Sequence, residues 1–129
     1  MSTLQCVVVT PERTELDVQA DAVTVPLFDG EMGILRGHSP MVGRLGFGVL
    51  RITTGGQQQK YFVEGGFVQV ADDVVSVLTD KLLSVSQITP ASAAQALETA
   101  LEMPTDQPDL QAARTKAVQR ARAMARAAQ

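Results

Sequence analysis

The sequence predicts an N-terminal antiparallel β-sandwich of about ten short strands over residues 1–87, followed by a two-helix hairpin over 88–129. Three observations carry this expectation. Up to about residue 88, apolar residues come in short runs or alternate, with turn chemistry recurring at roughly 8–12-residue spacing. Beyond Ile88 the apolar period is helical. Charge changes as well: six Lys/Arg stand against ten Asp/Glu through residue 87, then five against four. Every charge after Asp109 is positive, so one chain holds two compositions.

Within the first part, Leu4–Val9 is apolar on both faces, as in a strand enclosed inside a sandwich. Val23, Val25 and Leu27 alternate with Ala22, Thr24 and Pro26, and residues 49–53 alternate similarly. Gly55-Gly56 separates that strand from Tyr61–Val63, and Asp72-Asp73 separates Phe67–Val70 from Val74–Leu78. Both pairs suit two-residue hairpin turns with positive φ. Between these strands, Gly30 to Pro40 packs three glycines, a proline and the single histidine into eleven residues. It reads as a loop that needs positive φ or close backbone approach at several points.

In the second part, Thr89 reads as an N-cap and Pro90 as the first helical residue, where a missing N–H costs nothing. Ala93, Leu97, Ala100 and Leu101 form one face, Pro104 ends the helix, and Thr105 to Pro108 turns the chain. A second helix from about Asp109 carries the stripe Leu110, Ala113, Ala117, Ala121, Met124 and Ala128. Its five cations, Arg114, Lys116, Arg120, Arg122 and Arg126, spread over about two-thirds of the helix circumference. Positive charge complements the C-terminal end of a helix dipole, but Arg114 lies well before the last turn. A basic helix with a narrow, alanine-rich apolar stripe is suited to an acidic surface elsewhere.

Composition excludes several classes. At 129 residues and 45% apolar, the chain supports one domain core plus an appendage. With aromatics at 4% and no Trp, a base-stacking nucleic-acid platform is not expected. Cys6 is alone, which fits a reducing compartment and a buried apolar role. Met1-Ser2-Thr3-Leu4 lacks a basic segment followed by an apolar one, so no signal peptide is expected. No apolar run approaches the roughly 20 residues of a membrane helix. Association with a membrane is expected only through a partner.

No catalytic site is expected. His38 and Ser39 are adjacent with Asp29 nearby, but sequence neighbours rarely attain triad geometry, because base and acid must approach from different sides. One His and one distant Cys do not make a metal site. Gly30/Gly33/Gly37 lacks the Lys and the following helix of a phosphate loop.

Several motifs together resemble one family. Val9-Thr10-Pro11-Glu12 resembles the V-x-T-P-E/D opening of the epsilon subunits of F-type ATP synthases. Gly30 to Pro40 resembles their G-E/D-x-G-I-L-P-G-H-A-P signature, Gly48-Val49-Leu50-Arg51-Ile52 their G-x-L-R/K-I strand, and Gly65-Gly66-Phe67 their G-G-F/V hairpin. The resemblance implies a ten-stranded sandwich plus helical hairpin. It also implies a non-catalytic rotor subunit that couples proton translocation to ATP synthesis, with no cofactor. Implied partners are the gamma subunit, the c-ring and the alpha/beta hexamer. Glu31 and Met32 would contact the c-ring, and His38, Met41 and Val42 the gamma subunit. Arg114, Lys116, Arg120, Arg122 and Arg126 would meet an acidic beta-subunit segment and restrain ATP hydrolysis. The implied place is the cytoplasmic face of a bacterial plasma membrane, rather than a plastid thylakoid.

Two departures stand out. Arg36 replaces the family's proline before Gly37-His38. The Ile/Leu-Asp-x-x-Arg-Ala segment through which some members bind ATP is Ile88-Thr89-Pro90-Ala91-Ser92-Ala93 here, without its carboxylate or its cation, so ATP binding is not expected. The rival readings are a stand-alone binding module whose basic tail contacts nucleic acid or an acidic protein, and a small hydrolase using His38 and Ser39.

Overall fold

The computed structural model describes residues 3–129; Met1 and Ser2, where the segment read as lacking a signal peptide begins, lie outside them. The chain divides into two compact units, one ending at Leu83 and the other spanning Ser84–Gln129.

The first unit is built from β1 (Leu4–Val9), β2 (Thr14–Ala20), β3 (Ala22–Leu27), β4 (Gly30–Leu35), β5 (Met41–Thr54), β6 (Gln57–Ala71), β7 (Val74–Leu78) and the short β8 (Leu82–Ser84). Eight strands are thus described where about ten short ones were expected, because β5 and β6 run for 14 and 15 residues. They form a single ladder in the order β2-β1-β7-β6-β5-β3-β4, with β8 also on β6. One pairing departs from the antiparallel expectation: β1 and β7 are parallel, with Cys6 opposite Val75.

The two long strands fold this ladder over on itself. Residues 41–45 of β5 pair with 66–70 of β6, which continue to β7, β1 and β2. Residues 51–53 of β5, still paired with 58–60 of β6, pair on their other side with β3, which carries β4. At the bend the β3/β5 register slips between Thr24 and Leu27. A Cβ on Gly48 would lie 2.7 Å from the Pro26 Cβ, so a larger residue would separate the strands. Gly66 has φ +104°, and a Cβ there would collide with the Leu78 carbonyl oxygen. Gly65-Gly66 is therefore a bend within β6 rather than the hairpin its motif implied.

The core lies between the two halves. Alternate residues Leu4, Cys6 and Val8 of β1 pack with Val23 and Val25 of β3, Ile34 of β4 and Leu50 and Ile52 of β5. Val63, Val68 and Val70 of β6, Val75 and Val77 of β7, Ala20 of β2 and Leu45 of β5 complete it. Both expected tight turns form: φ is +59° and +81° at Gly55-Gly56, and +52° and +61° at Asp72-Asp73. The segment Gly30 to Pro40 is only partly a loop. Gly30–Leu35 is an edge strand whose backbone pairs with β3, Gly33 has ordinary negative-side backbone, and only Arg36 to Pro40 lies outside strands.

The second unit holds α1 (Pro90–Leu101) and α2 (Pro108–Ala127) after a short 3-10 turn at Val85–Gln87. Thr89 caps α1: its side-chain oxygen accepts from the Ser92 N–H at 3.0 Å, and the Ser92 hydroxyl accepts from the Thr89 N–H at 3.1 Å. This reciprocal pair satisfies two donors that a helix start would otherwise orphan. The α2 stripe differs from expectation. Ala121 and Met124 are buried, but Ala113 is exposed, and Val118 and Ala123 are buried as well.

Cys6 is fully enclosed in the core, and burial, aided by the charge of Asp17, pushes its thiol from 9.0 up to about 12. The folded chain keeps the thiol protonated where an unfolded chain ionises it. Its contribution to stability is therefore intact below pH 9 and lost as pH rises toward 12. The wild type should lose stability relative to Cys6→Val by about 1.4 kcal/mol per pH unit across that window. Urea denaturation of both proteins at pH 8, 9 and 10 measures the difference; parallel curves would refute it.

Candidate functional site

The residues that the sequence singles out fall in three places. The first is the outer side of β4. Glu31 is exposed there, and its carboxylate accepts from Arg51 Nη1 at 2.9 Å. Met32, the next residue, points the other way because strand side chains alternate; it is half-buried against the core. Leu35, 62% exposed, shares the Glu31 face four residues on, a partner that the apolar pattern alone did not flag.

The second place is the Arg36 to Pro40 loop with the start of β5. The His38 N–H donates to the Leu35 carbonyl at 3.1 Å, and Gly37 has φ +83°. A 35-to-38 turn with a left-handed glycine at its third position has the features of a type II turn. His38 is half-buried, and its Nδ1 donates to the Ser39 carbonyl at 2.7 Å. Asp29 lies at the opposite end of β4, about 20 Å of strand away by the usual rise per residue. The three residues of the hydrolase reading are not brought together. Met41 packs against the core, whereas Val42 is 72% exposed.

Val42 belongs to a larger surface that the sequence did not reveal. Arg44 pairs across to Phe67 and Phe67 to Leu78, so these side chains stand in one row across β5, β6 and β7. Val42 is the diagonal neighbour of Phe67 on the same face. The row continues past β5 to Phe28, whose N–H donates to the Arg44 carbonyl at 3.0 Å and whose ring lies 5.8 Å below the Arg44 guanidinium. Phe28, Phe67 and Leu78 are 66%, 58% and 50% exposed. Apolar side chains gathered on one open face in this way are the kind of surface on which partners dock. The only sequence signal was each residue's place opposite a core neighbour in an alternating strand.

The third place is α2. Lys116, Arg122 and Arg126 are exposed, whereas Arg114 and Arg120 are half-buried, so the five cations do not share one solvated face. Among the described residues no ion pair involves Lys116, Arg122 or Arg126. At the start of α1, Thr89 and Ser92 use their hydroxyls to cap the helix and offer neither a carboxylate nor a cation to a nucleotide. No cluster of three or more metal-ligating residues occurs among the described residues, and no helix among them is long and apolar enough to cross a membrane.

This sandwich, with its bent long strands and helical appendix, defines a known class. Residues 3–85 match the family described as ATP synthase, Delta/Epsilon chain, beta-sandwich domain, and the chain belongs to that family. Its sequence groups it with the epsilon chains. It is 52% identical over 124 residues to the ATP synthase epsilon chain of Rhodopirellula baltica, covering 96% of this chain and 97% of that one. It is 36% identical to the epsilon chain of Chromohalobacter salexigens over 91% of this chain and 84% of the relative. A chain in the structure of the Euglena gracilis mitochondrial ATP synthase OSCP/F1/c-ring assembly superimposes with a TM-score of 0.89 at 25% identity. That alignment covers all of this chain and 83% of the other. The fold also recurs in the Tetrahymena thermophila mitochondrial ATP synthase central stalk and c-ring, with a TM-score of 0.77 at 16% identity, over 98% and 96% of the two chains.

With the two charged positions of the nucleotide motif occupied by capping hydroxyls, ATP should stabilise the protein little. A ligand stabilises in proportion to ln(1 + [L]/Kd), so a weak binder leaves Tm unchanged below millimolar concentration. Thermal denaturation with 0 to about 1 mM ATP tests this, and a clear rise in Tm would contradict it.

Proposed function

We propose that this chain is the non-catalytic epsilon subunit of an ATP synthase central stalk, held at the cytoplasmic face of the membrane through its partners. In this reading the sandwich, residues 1–87, lies between the gamma subunit and the c-ring, coupling proton flow to ATP synthesis. The hairpin, residues 88–129, restrains hydrolysis. The observation that carries the reading is the exposed row of Phe28, Arg44, Phe67 and Leu78 with Val42 beside the His38 loop. An apolar face rimmed by polar groups is what a subunit buried in an assembly requires. We assign this row, with His38, to the gamma subunit. Met41 supports that face from inside rather than touching the partner. The outer side of β4, with Glu31 and Leu35, is assigned to the polar loops of the c-ring, with Met32 as its packing support. A stand-alone module with a basic nucleic-acid-binding tail is less well supported, since that reading gives the apolar row no role.

The gamma assignment is tested with Val42→Asp and Phe67→Asp. Both side chains are exposed in the free chain, so the isolated protein should keep its Tm within about 2 °C, as surface substitutions do. A charge desolvated in the complex should weaken binding to epsilon-depleted F1 by at least about tenfold. Unchanged affinity in both variants would remove the row from the interface. Met41→Asp, by contrast, should also lower intrinsic stability, because its side chain packs on the core.

The cations of α2 are assigned to an acidic segment of a beta subunit. Replacing the exposed Lys116, Arg122 and Arg126 with Gln changes helix propensity little and removes three charges. Hydrolysis by the assembled complex should rise at low salt, and the difference from wild type should shrink with ionic strength as exposed charges are screened. Synthesis should change less. Equal hydrolysis rates at low salt would make these charges a solvated face only.

A further inference from the structure

The turn between β6 and β7 holds an aspartate where glycine would relax the backbone further. Asp73 has φ +61° at the second position of a two-residue hairpin loop, where glycine adopts the same backbone without strain. The chain places a carboxylate there, and that carboxylate acts far from its own turn. Its Oδ1 accepts from the Gly37 N–H at 2.7 Å, and its Oδ2 lies 3.6 Å from Arg36 Nε. The two ends of this contact are 36 residues apart in sequence. Strain kept at a position whose side chain grips another segment points to a role for the grip.

What is gripped is the turn that presents His38. Arg36 and Gly37 are its two central residues, closed by the Leu35–His38 hydrogen bond. In a turn of this kind proline is the residue that best fixes the second position, and the chain has the flexible Arg36 instead. The exposed Arg36–Asp73 pair contributes little alone, since both side chains are more than a third exposed. The short bond from a backbone amide to a carboxylate is the stronger element.

We propose that Asp73 is a positioning residue for partner docking: by holding the Gly37 amide it fixes the Leu35–His38 turn in the shape in which His38 and Val42 meet the gamma subunit. This rests on the gamma assignment above. Asp73 touches no partner in this account and acts only through the turn.

The test uses the full-length chain, and the decisive variant is Asp73→Gly. Glycine relieves the backbone strain, so Tm should hold or rise. Hydrogen exchange at the Gly37 amide should nevertheless accelerate about tenfold, and affinity for epsilon-depleted F1 should fall about three- to tenfold, as the loss of one charge-assisted hydrogen bond would produce. Adding Arg36→Pro to Asp73→Gly should restore most of that affinity, because proline fixes the turn without the carboxylate. A residue that served only local turn stability would give the opposite pattern, with unchanged affinity in Asp73→Gly. Unaltered Gly37 exchange, wild-type affinity, or failure of Arg36→Pro to rescue would each overturn the proposal. If Val42→Asp and Phe67→Asp bind normally while Asp73→Gly binds weakly, the gamma assignment fails and the positioning role survives for another face.

Discussion

The structure depends on one close approach, the packing of the Gly48 backbone against the Pro26 ring. With 2.7 Å between the Pro26 Cβ and the point a Gly48 Cβ would occupy, only glycine lets β5 pass β3 there. The register slip of β3 against β5 is the consequence of that bend. On the neighbouring strand, Gly66 faces the Leu78 carbonyl oxygen and curves β6 in step. Two long strands bent together let a single ladder enclose its own core. A flat sheet of the same eight strands would leave one set of apolar faces in water.

Bending also decides what remains outside. Once the Val68 and Val77 side chains are committed to the core, alternation turns Phe67 and Leu78 outward. The same logic sends Leu45 in and Arg44 out, and Arg44 then covers Phe28. The outer row is therefore a by-product of the core register that a partner can use. Its apolar area is tolerable on a chain whose family works inside an assembly, since a partner docked there would remove that area from water.

Charge is arranged by a different rule. On the sandwich, three cations are tied to carboxylates: Arg51 to Glu31, Arg36 to Asp73, and Arg13 to Glu15. These pairs orient side chains more than they stabilise the fold, because exposed ion pairs contribute little. On α2 the exposed cations Lys116, Arg122 and Arg126 have no such partner among the described residues. At the start of α1, the positions that could have carried a nucleotide site serve the helix cap instead. A capping pair satisfies backbone donors, and a hydroxyl used in this way supplies no charge to a ligand.

Local chemistry was legible in the sequence. The bounds of β1 and β7 follow from their apolar runs, the turns at Gly55-Gly56 and Asp72-Asp73 from residues that tolerate positive φ, and the start of α1 from Thr89-Pro90. The motif resemblance identified the family and marked Glu31 and His38. What stayed hidden depends on contacts between distant segments. Gly30–Leu35 reads as a loop by composition, and only pairing with β3 makes it a strand. The parallel β1–β7 pair joins the two ends of the first unit, which no local period can express. Periodicity assigns a residue to a face but does not say which strand lies beside it. The row through Phe28, Arg44, Phe67 and Leu78 and the grip of Asp73 on Gly37 were therefore decided by the tertiary structure alone, because each brings together groups that the chain keeps far apart.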